Sequence, residues 1–377
     1  MTFRCLLCNS KDGQRIFFKP DISIFLGVYS RPSSKPEKFP ASLWQCSHCG
    51  FVQQEISDKL ISFLNKVYSE DSFISTPPGT SSWGNSRAQV LSEYMEQYLG
   101  WPCSILEIGC QSGYLLSQLQ RKYSCRSVGI EPGNVPPGPD NITFINDFFP
   151  SEKLGDEKFD VIIAQAVLEH VFTPLDILKS IKKHLNPSGI VIVQVPDCTG
   201  HFETGDLGLF GHEHISYFTT ATLEFAIRLA GFSPINITNR IPGGHLLGIF
   251  THGENNCQVP EFDTGPSQYS RCFDMKIEYL MQFFTKGMPV GLYGTCIGAH
   301  NFIQIKPEIS DKVILYDSDE FKHGKYLADV SRSIHNYSDL TNDPVSTVLI
   351  MPYTYQNEIF SFLKSNTISG KEFIKIY

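Results

Sequence analysis

Two cysteine pairs, Cys5-x-x-Cys8 and Cys46-x-x-Cys49, stand near the start of the chain. Each pair can place two thiolates on one side of a tight turn, the arrangement that tetrahedral zinc uses. The long segment between the pairs is no obstacle, because loop closure costs grow slowly with length. Four protein ligands leave no open position, so Zn2+ held by Cys5, Cys8, Cys46 and Cys49 would be structural and would stay out of any reaction. The alternative is four reduced cysteines that fall into matched pairs by coincidence. His48, inside the second pair, is not needed as a ligand.

A second group begins at Ile105 and runs through Leu106-Glu107-Ile108-Gly109-Cys110-Gln111-Ser112-Gly113 to Leu116. It reads as an apolar strand, a glycine turn and the start of a helix, with Gly109 and Gly113 letting the backbone approach a ligand. The next expected strand, Ser127 to Ile130, ends in Glu131-Pro132. A carboxylate at that tip is placed to grip the vicinal hydroxyls of a ribose, so the pair of motifs points to an adenosine-type ligand. A nicotinamide cofactor would share these features but goes with Gly-x-Gly-x-x-Gly, and the position two past Gly109 is Gln111. A methyl donor is the better reading than a hydride donor.

The densest cluster of ionisable and aromatic residues is Phe210-Gly211-His212-Glu213-His214-Ile215-Ser216-Tyr217-Phe218, just past a fifth strand at the carboxyl edge where α/β sheets bind ligands. Adjacent side chains diverge on a regular element, which favours acid-base work over a shared metal. Methyl transfer is a displacement at a carbon that is already electrophilic, so the protein must place a nucleophile in line and remove its proton. A carbon nucleophile beside a carbonyl needs a base and stabilisation of the enolate. His214 is the expected base, oriented by Glu213. A satisfied structural histidine is the alternative for His212 and for His170.

These residues need a scaffold, and its pattern is legible. From Ser104 to about His252, short apolar runs at 105–106, 127–130, 142–145, 159–164 and 190–195 alternate with helical segments, the rhythm of a parallel sheet with crossover helices. The rhythm returns at 289–293, 312–316 and 346–351 after a polar break at 253–267. The expected division is a zinc-binding module at 1–60, a helical connector at 61–103 with a polar loop at 75–86, a cofactor-binding core at 104–255 and a smaller α/β domain at 256–377. Hydrophobic residues make up 41% and charged residues 19%, a globular balance, and the net charge of −8 speaks against a broad phosphate-binding surface. No apolar run is long enough for a membrane span, and the N-terminus lacks the apolar core of a signal peptide; a cytoplasmic protein is expected.

Asn146-Asp147-Phe148, Gln165-Ala166-Val167-Leu168-Glu169-His170 and the Asn186-Pro187-Ser188-Gly189 turn resemble the later motifs of class I methyltransferases that use S-adenosylmethionine. That resemblance implies an α/β, Rossmann-like core in which Asp147 and Phe148 address adenine, Gln165 and Ala166 line the methionine side, and Glu107 lies near the methionine amino group. The plain alternatives are a turn cap for Asp147 and a strand-end polar residue for Gln165. Over nearly its full length the chain resembles the three-domain sugar C-methyltransferases, through the four cysteines, Glu213-His214, Gly243-Gly244, Leu292-Tyr293-Gly294 with Gly298, Tyr316-Asp317 with Lys322-x-Gly324-Lys325-Tyr326, and Met351-Pro352-Tyr353. The resemblance implies a nucleotide-linked keto-sugar as the partner and the residue matching His214 as base; the acidic charge balance and the lack of a long apolar run lead to the expectation of no nucleic acid and no membrane. The chain departs from that family at Gly211, where a tyrosine is common, and at His245-Leu246-Leu247, where a polar residue and an arginine follow the glycines. Rival readings are O- or N-methylation of a sugar or other metabolite, an RNA methyltransferase with a zinc ribbon, and a binding protein without activity.

Overall fold

The computed structural model describes residues 3–32, 36–70, 82–102, 104–134, 142–241, 243–254, 257–262, 265–285, 287–366 and 370–377. The polar loop expected at 75–86 falls outside these residues as far as 81, as do parts of the break at 253–267.

The chain forms two compact units, each assembled from three stretches of sequence. The first takes residues 1–13, 45–197 and 213–263; the second takes 14–44, 198–212 and 264–377.

The first unit is built on seven strands: β1 (Ser104–Ile108), β2 (Arg126–Glu131), β3 (Ile142–Asn146), β4 (Phe159–Gln165), β5 (Leu185–Pro196), β6 (Phe232–Ile241) and β7 (His245–His252). Their spatial order is β6-β7-β5-β4-β1-β2-β3. Strands β1 to β5 are parallel, whereas β7 runs antiparallel to β5 and β6 antiparallel to β7. All five residues of β1 are buried, as a central parallel strand covered on both faces requires. One face packs Leu106, Ile162, Val193 and Leu246, the other Ile105, Ile163, Ile192 and Leu247.

Helix α1 (Asp58–Ser69) is capped by Ser57, whose hydroxyl accepts from the Leu60 N–H at 3.2 Å, and it buries Leu60, Leu64 and Val67 at one-turn and two-turn spacing. Helix α2 (Ser82–Glu96) follows, and α3 (Tyr114–Tyr123) starts from Gly113 and buries Leu115, Leu116 and Leu119. Two features depart from the sequence reading. The turn expected at 186–189 is an irregularity inside β5, where Phe159 pairs with Leu185 and Val161 next with Ile190. The antiparallel pair β6 and β7 was not expected as strands.

The second unit carries a five-stranded, wholly parallel sheet: β8 (Val290–Tyr293), β9 (Val313–Asp317), β10 (Ile334–Asn336), β11 (Thr347–Ile350) and β12 (Glu372–Lys375), in the order β10-β9-β8-β11-β12. Buried Tyr316, Val348, Ile350 and Leu363 form part of its core. Among the described residues no helix is long and apolar enough to cross a membrane.

Candidate functional site

The four sulfurs expected from the sequence come together in the first unit. Cys5 Sγ lies 3.6 Å from Cys49 Sγ, Cys8 Sγ lies 3.6 Å from Cys46 Sγ, and all four are within 4.8 Å of one another. A zinc ion with bonds of about 2.3 Å sets its tetrahedral edge near ~3.8 Å, so the donors fit. The His48 N–H points at Cys46 Sγ at 3.4 Å, and Cys5, Cys46 and Cys49 are fully buried. The neighbouring sulfurs and burial push the Cys5 and Cys49 thiols up, Cys5 to about 12. Four thiolates therefore need a cation, and binding one must expel protons.

A cavity of about 620 Å³ opens along the carboxyl ends of the first unit's strands. Glu107, Gly109, Glu131, Asp147, Phe148, Gln165, Ala166, Glu213 and His214 all line it; Gly113, the remaining residue expected at the cofactor, is the N-cap of α3. Gly109 and Gly113 have φ of +70° and +69°. A Cβ on Gly113 would sit 2.6 Å from the Phe144 ring, so the turn is closed to any side chain. Glu107 is 4% exposed; burial, with Glu131 adding to it, pushes its carboxyl up to about 8, and Oε2 has no hydrogen-bond partner among the described residues. Glu131 accepts from the Gln111 N–H at 2.9 Å with one oxygen and from the Gly133 N–H at 3.1 Å with the other. Those backbone donors fix the direction of its carboxylate at the strand tip.

Asp147 accepts from the Phe148 N–H at 2.9 Å and from Ser151 Oγ at 2.7 Å, and the Ser151 bond leads in holding its carboxyl below the usual range. It thus caps its own turn while lining the cavity. Phe148 is 42% exposed, an uncovered ring at the cavity wall. Gln165 ends β4, and Ala166 follows in the left-handed region with φ of +52°, its N–H given to Gln194 O at 2.9 Å.

His214 is set by the segment around it. The Ile215 and Ser216 N–H groups donate to Glu169 O at 2.7 and 3.0 Å, and Ser216 and Tyr217 pair with Gln53 and Val52 of a short strand. The His214 ring packs 5.0 Å from that of His170 and 6.4 Å from that of Tyr217. His170 Nδ1 lies 2.9 Å from the Glu213 carbonyl and 3.2 Å from the Tyr68 hydroxyl. A carbonyl only accepts, so Nδ1 carries the proton and Nε2 keeps its lone pair. Burial pushes His170 down to about 4, which keeps it neutral. The Glu213 side chain is buried and held above the ordinary carboxylate range by that burial, with Oε2 unpartnered among the described residues.

Tyr68, Glu169, His170 and His245 line the same cavity and were not assigned from sequence. A Glu-His pair four residues past a strand end was a usable signal for two of them; Tyr68, from the last turn of α1, gave none. His212 belongs to the second unit, where its Nε2 meets Phe39 O at 3.2 Å and burial pushes its pKa down to about 4. It takes the structural role left open for it. In that unit Asp317 accepts from Thr295 N–H at 2.8 Å, Thr295 Oγ1 at 2.6 Å and Lys322 Nζ at 2.9 Å, which ties the end of β9 to the turn after β8.

Residues 56–237, just under half of the chain, match the family described as a methyltransferase domain. The tRNA U34 carboxymethyltransferase of Sulfurimonas denitrificans is 35% identical over 100 residues, covering 24% of this chain and 33% of that protein. The ubiquinone biosynthesis O-methyltransferase of Azorhizobium caulinodans is 29% identical over 154 residues, covering 34% of this chain and 58% of that one. The chain thus spans between a third and 58% of the length of these curated relatives. Among solved structures, the 1,6-didemethyltoxoflavin-N1-methyltransferase of Burkholderia thailandensis superposes with a TM-score of 0.42 at 17% identity, over 54% of this chain and 96% of that one.

Proposed function

We propose that this chain, which carries a methyltransferase domain over residues 56–237, uses S-adenosylmethionine to methylate a nucleotide-linked keto-sugar at a carbon next to the ketone. One observation carries the reading: the Glu107, Gly109 and Glu131 set and the Glu213 and His214 set line a single cavity. The donor supplies an electrophilic methyl carbon there. Glu107 would hold its ammonium group and Glu131 its ribose hydroxyls, with Phe148 against adenine. His214, positioned by the segment that includes Glu213, takes the proton from the acceptor carbon. The electron pair left behind forms the new carbon–methyl bond as the sulfur–methyl bond breaks and the sulfur leaves as a neutral thioether.

The cavity's acidic lining supports an uncharged reacting group. Glu107, Glu131, Asp147, Glu169 and Glu213 line it, and no described lining residue is lysine or arginine. A sugar ring suits such walls and a phosphate does not. The same feature, with the net charge of −8, disfavours a nucleic-acid strand inside it. Methylation of a hydroxyl is the second reading, favoured by the O-methyltransferase among the relatives and served by the same base.

Mass spectrometry of a panel of nucleotide-linked keto- and hydroxy-sugars incubated with protein and donor tests the proposal. Solvent deuterium should enter the acceptor carbon without donor, because carbon chemistry requires proton removal there. Transfer without such exchange gives the reaction to oxygen, and transfer to none of the panel overturns the sugar assignment.

A further inference from the structure

The reaction above leaves negative charge on the acceptor oxygen as its neighbouring carbon loses a proton. Walls that carry the ionised carboxylate of Asp147 and that of Glu131, with no lysine or arginine among the described lining residues, make that charge costly unless a neutral donor meets it. His170 gives its Nδ1 proton to Glu213 O, and His214 is the base. His245 is the third imidazole of the cavity lining.

Strand register places it. Glu107 is level with Ile163, which is level with Ile192 and then Ile249. Two residues further along, Gln165, Gln194 and Leu247 form the next row. Two further still, His245 sits beside Pro196 at the end of β5. Residues paired across strands, and residues two apart along them, share a face. Glu107, Gln165, Gln194 and His245 therefore rise on one face of the sheet, and His245 tops it about 7 Å beyond the Gln165 row. Across the sheet, β7 lies three strand spacings from β1, about 14 Å, on the side away from β2 and Glu131. His245 stands at the end of the cavity opposite the ribose carboxylate.

Its backbone is also held. Gly243 and Gly244, with φ of +94° and +69°, turn the chain into β7, and Asp197 N–H donates to Gly244 O at 3.0 Å. Leu246 and Leu247 are fully buried on opposite faces, which prevents a one-residue slip that would swing His245 away.

We propose that His245 donates a hydrogen bond to the acceptor oxygen on which charge develops, and so selects acceptors that carry an oxygen at that point. The proposal rests on reading the cavity as the transfer site, and the experiment separates the two. Full-length protein is treated with diethyl pyrocarbonate alone, with S-adenosylhomocysteine, and with that product plus a UDP-linked 4-keto-6-deoxyhexose, followed by peptide mass spectrometry. His245 should stay reactive with the donor product bound and become at least about tenfold less reactive when the keto-sugar is added. His245→Leu should keep donor affinity and lose turnover by roughly a hundredfold, the scale for one oxyanion donor, while His245→Gln, which retains an N–H, should stay within about tenfold of the parent. Protection of His245 by the donor product alone overturns the assignment. So does a His245→Leu protein that turns over at the parental rate or loses the donor. Absence of transfer to any acceptor removes the keto-sugar reading only, and His245 is then decided by the donor-product arm.

Discussion

Glu107 is a carboxylic acid on a strand covered from both sides, and its cost to the ligand-free protein is measurable. Its folded value near 8 lies above the ~4.3 of an unfolded glutamate, so the native state holds a proton that the unfolded state has released. Its contribution to stability must then fall as pH rises from about 4.5 to about 8. Glu107→Gln removes that slope and should stabilise the donor-free protein at pH 8 by up to a few kcal/mol, seen in chemical denaturation at several pH values. The same variant should bind S-adenosylmethionine roughly ten- to a hundredfold more weakly by calorimetry, because the ammonium loses a charged partner. A variant that binds the donor normally removes Glu107 from the cofactor site. His214→Asn should keep donor affinity and slow turnover by roughly a hundredfold or more, as loss of a general base does. Transfer lost with deuterium exchange intact would make His214 a positioning residue. Glu107, Gly109 and Glu131 were readable because a strand, a turn and a strand tip deliver them within one short stretch. Tyr68 was not, since α1 reaches His170 only through packing across a long sequence separation.

Among the elements, the parallel strands were legible because they are buried on both faces and read as short apolar runs. Strands β6 and β7 follow a different grammar. Only Phe232 and Ile241 of β6 are buried, with polar residues at Asn236, Thr238, Asn239 and Arg240, so no apolar run announces it. Likewise β5 starts at Leu185 although its pairing is interrupted across 186–189, and an Asn-Pro-Ser-Gly segment reads locally as a turn. The glycine turn before α3 makes a sharper claim. Gly113→Ala must hold a side chain at φ +69° with its Cβ 2.6 Å from the Phe144 ring, a combination of strain and overlap. It should destabilise the protein by about 2 kcal/mol and weaken donor binding. Unchanged stability in urea titration would mean that the turn relaxes without cost.

At the scale of the whole first unit, the cysteine cluster is tied to the segment that carries His214 by continuous structure. Cys5 and Cys8 come from the first segment and Cys46 and Cys49 from the second, so a bound zinc closes a long loop and adds to the bonds from Gln53 that hold Arg4 and Leu6. The second knuckle runs on through buried Phe51 into the strand Val52–Gln54, which pairs with Ser216–Tyr217. Gln54 N–H donates to Ile215 O at 2.9 Å, one residue from His214. The cluster packs within the same core as Leu106, Ile162 and Val193. Purified protein should hold about one zinc per chain, and Cys46→Ser should lower stability by about 4 kcal/mol or more, as loss of a structural metal does. Because the glycine turn, Glu107 and Glu131 belong to other strands, donor affinity should survive mild chelation. The positioning of His214 should not. Hydrogen exchange should therefore rise first in 52–54 and 213–217 when zinc is stripped, with turnover falling and donor affinity unchanged, and readdition of zinc should restore both exchange protection and rate. Protein that is zinc-free as purified, or whose 213–217 segment exchanges at the same rate with and without metal, breaks this chain of dependence at its first or its last link.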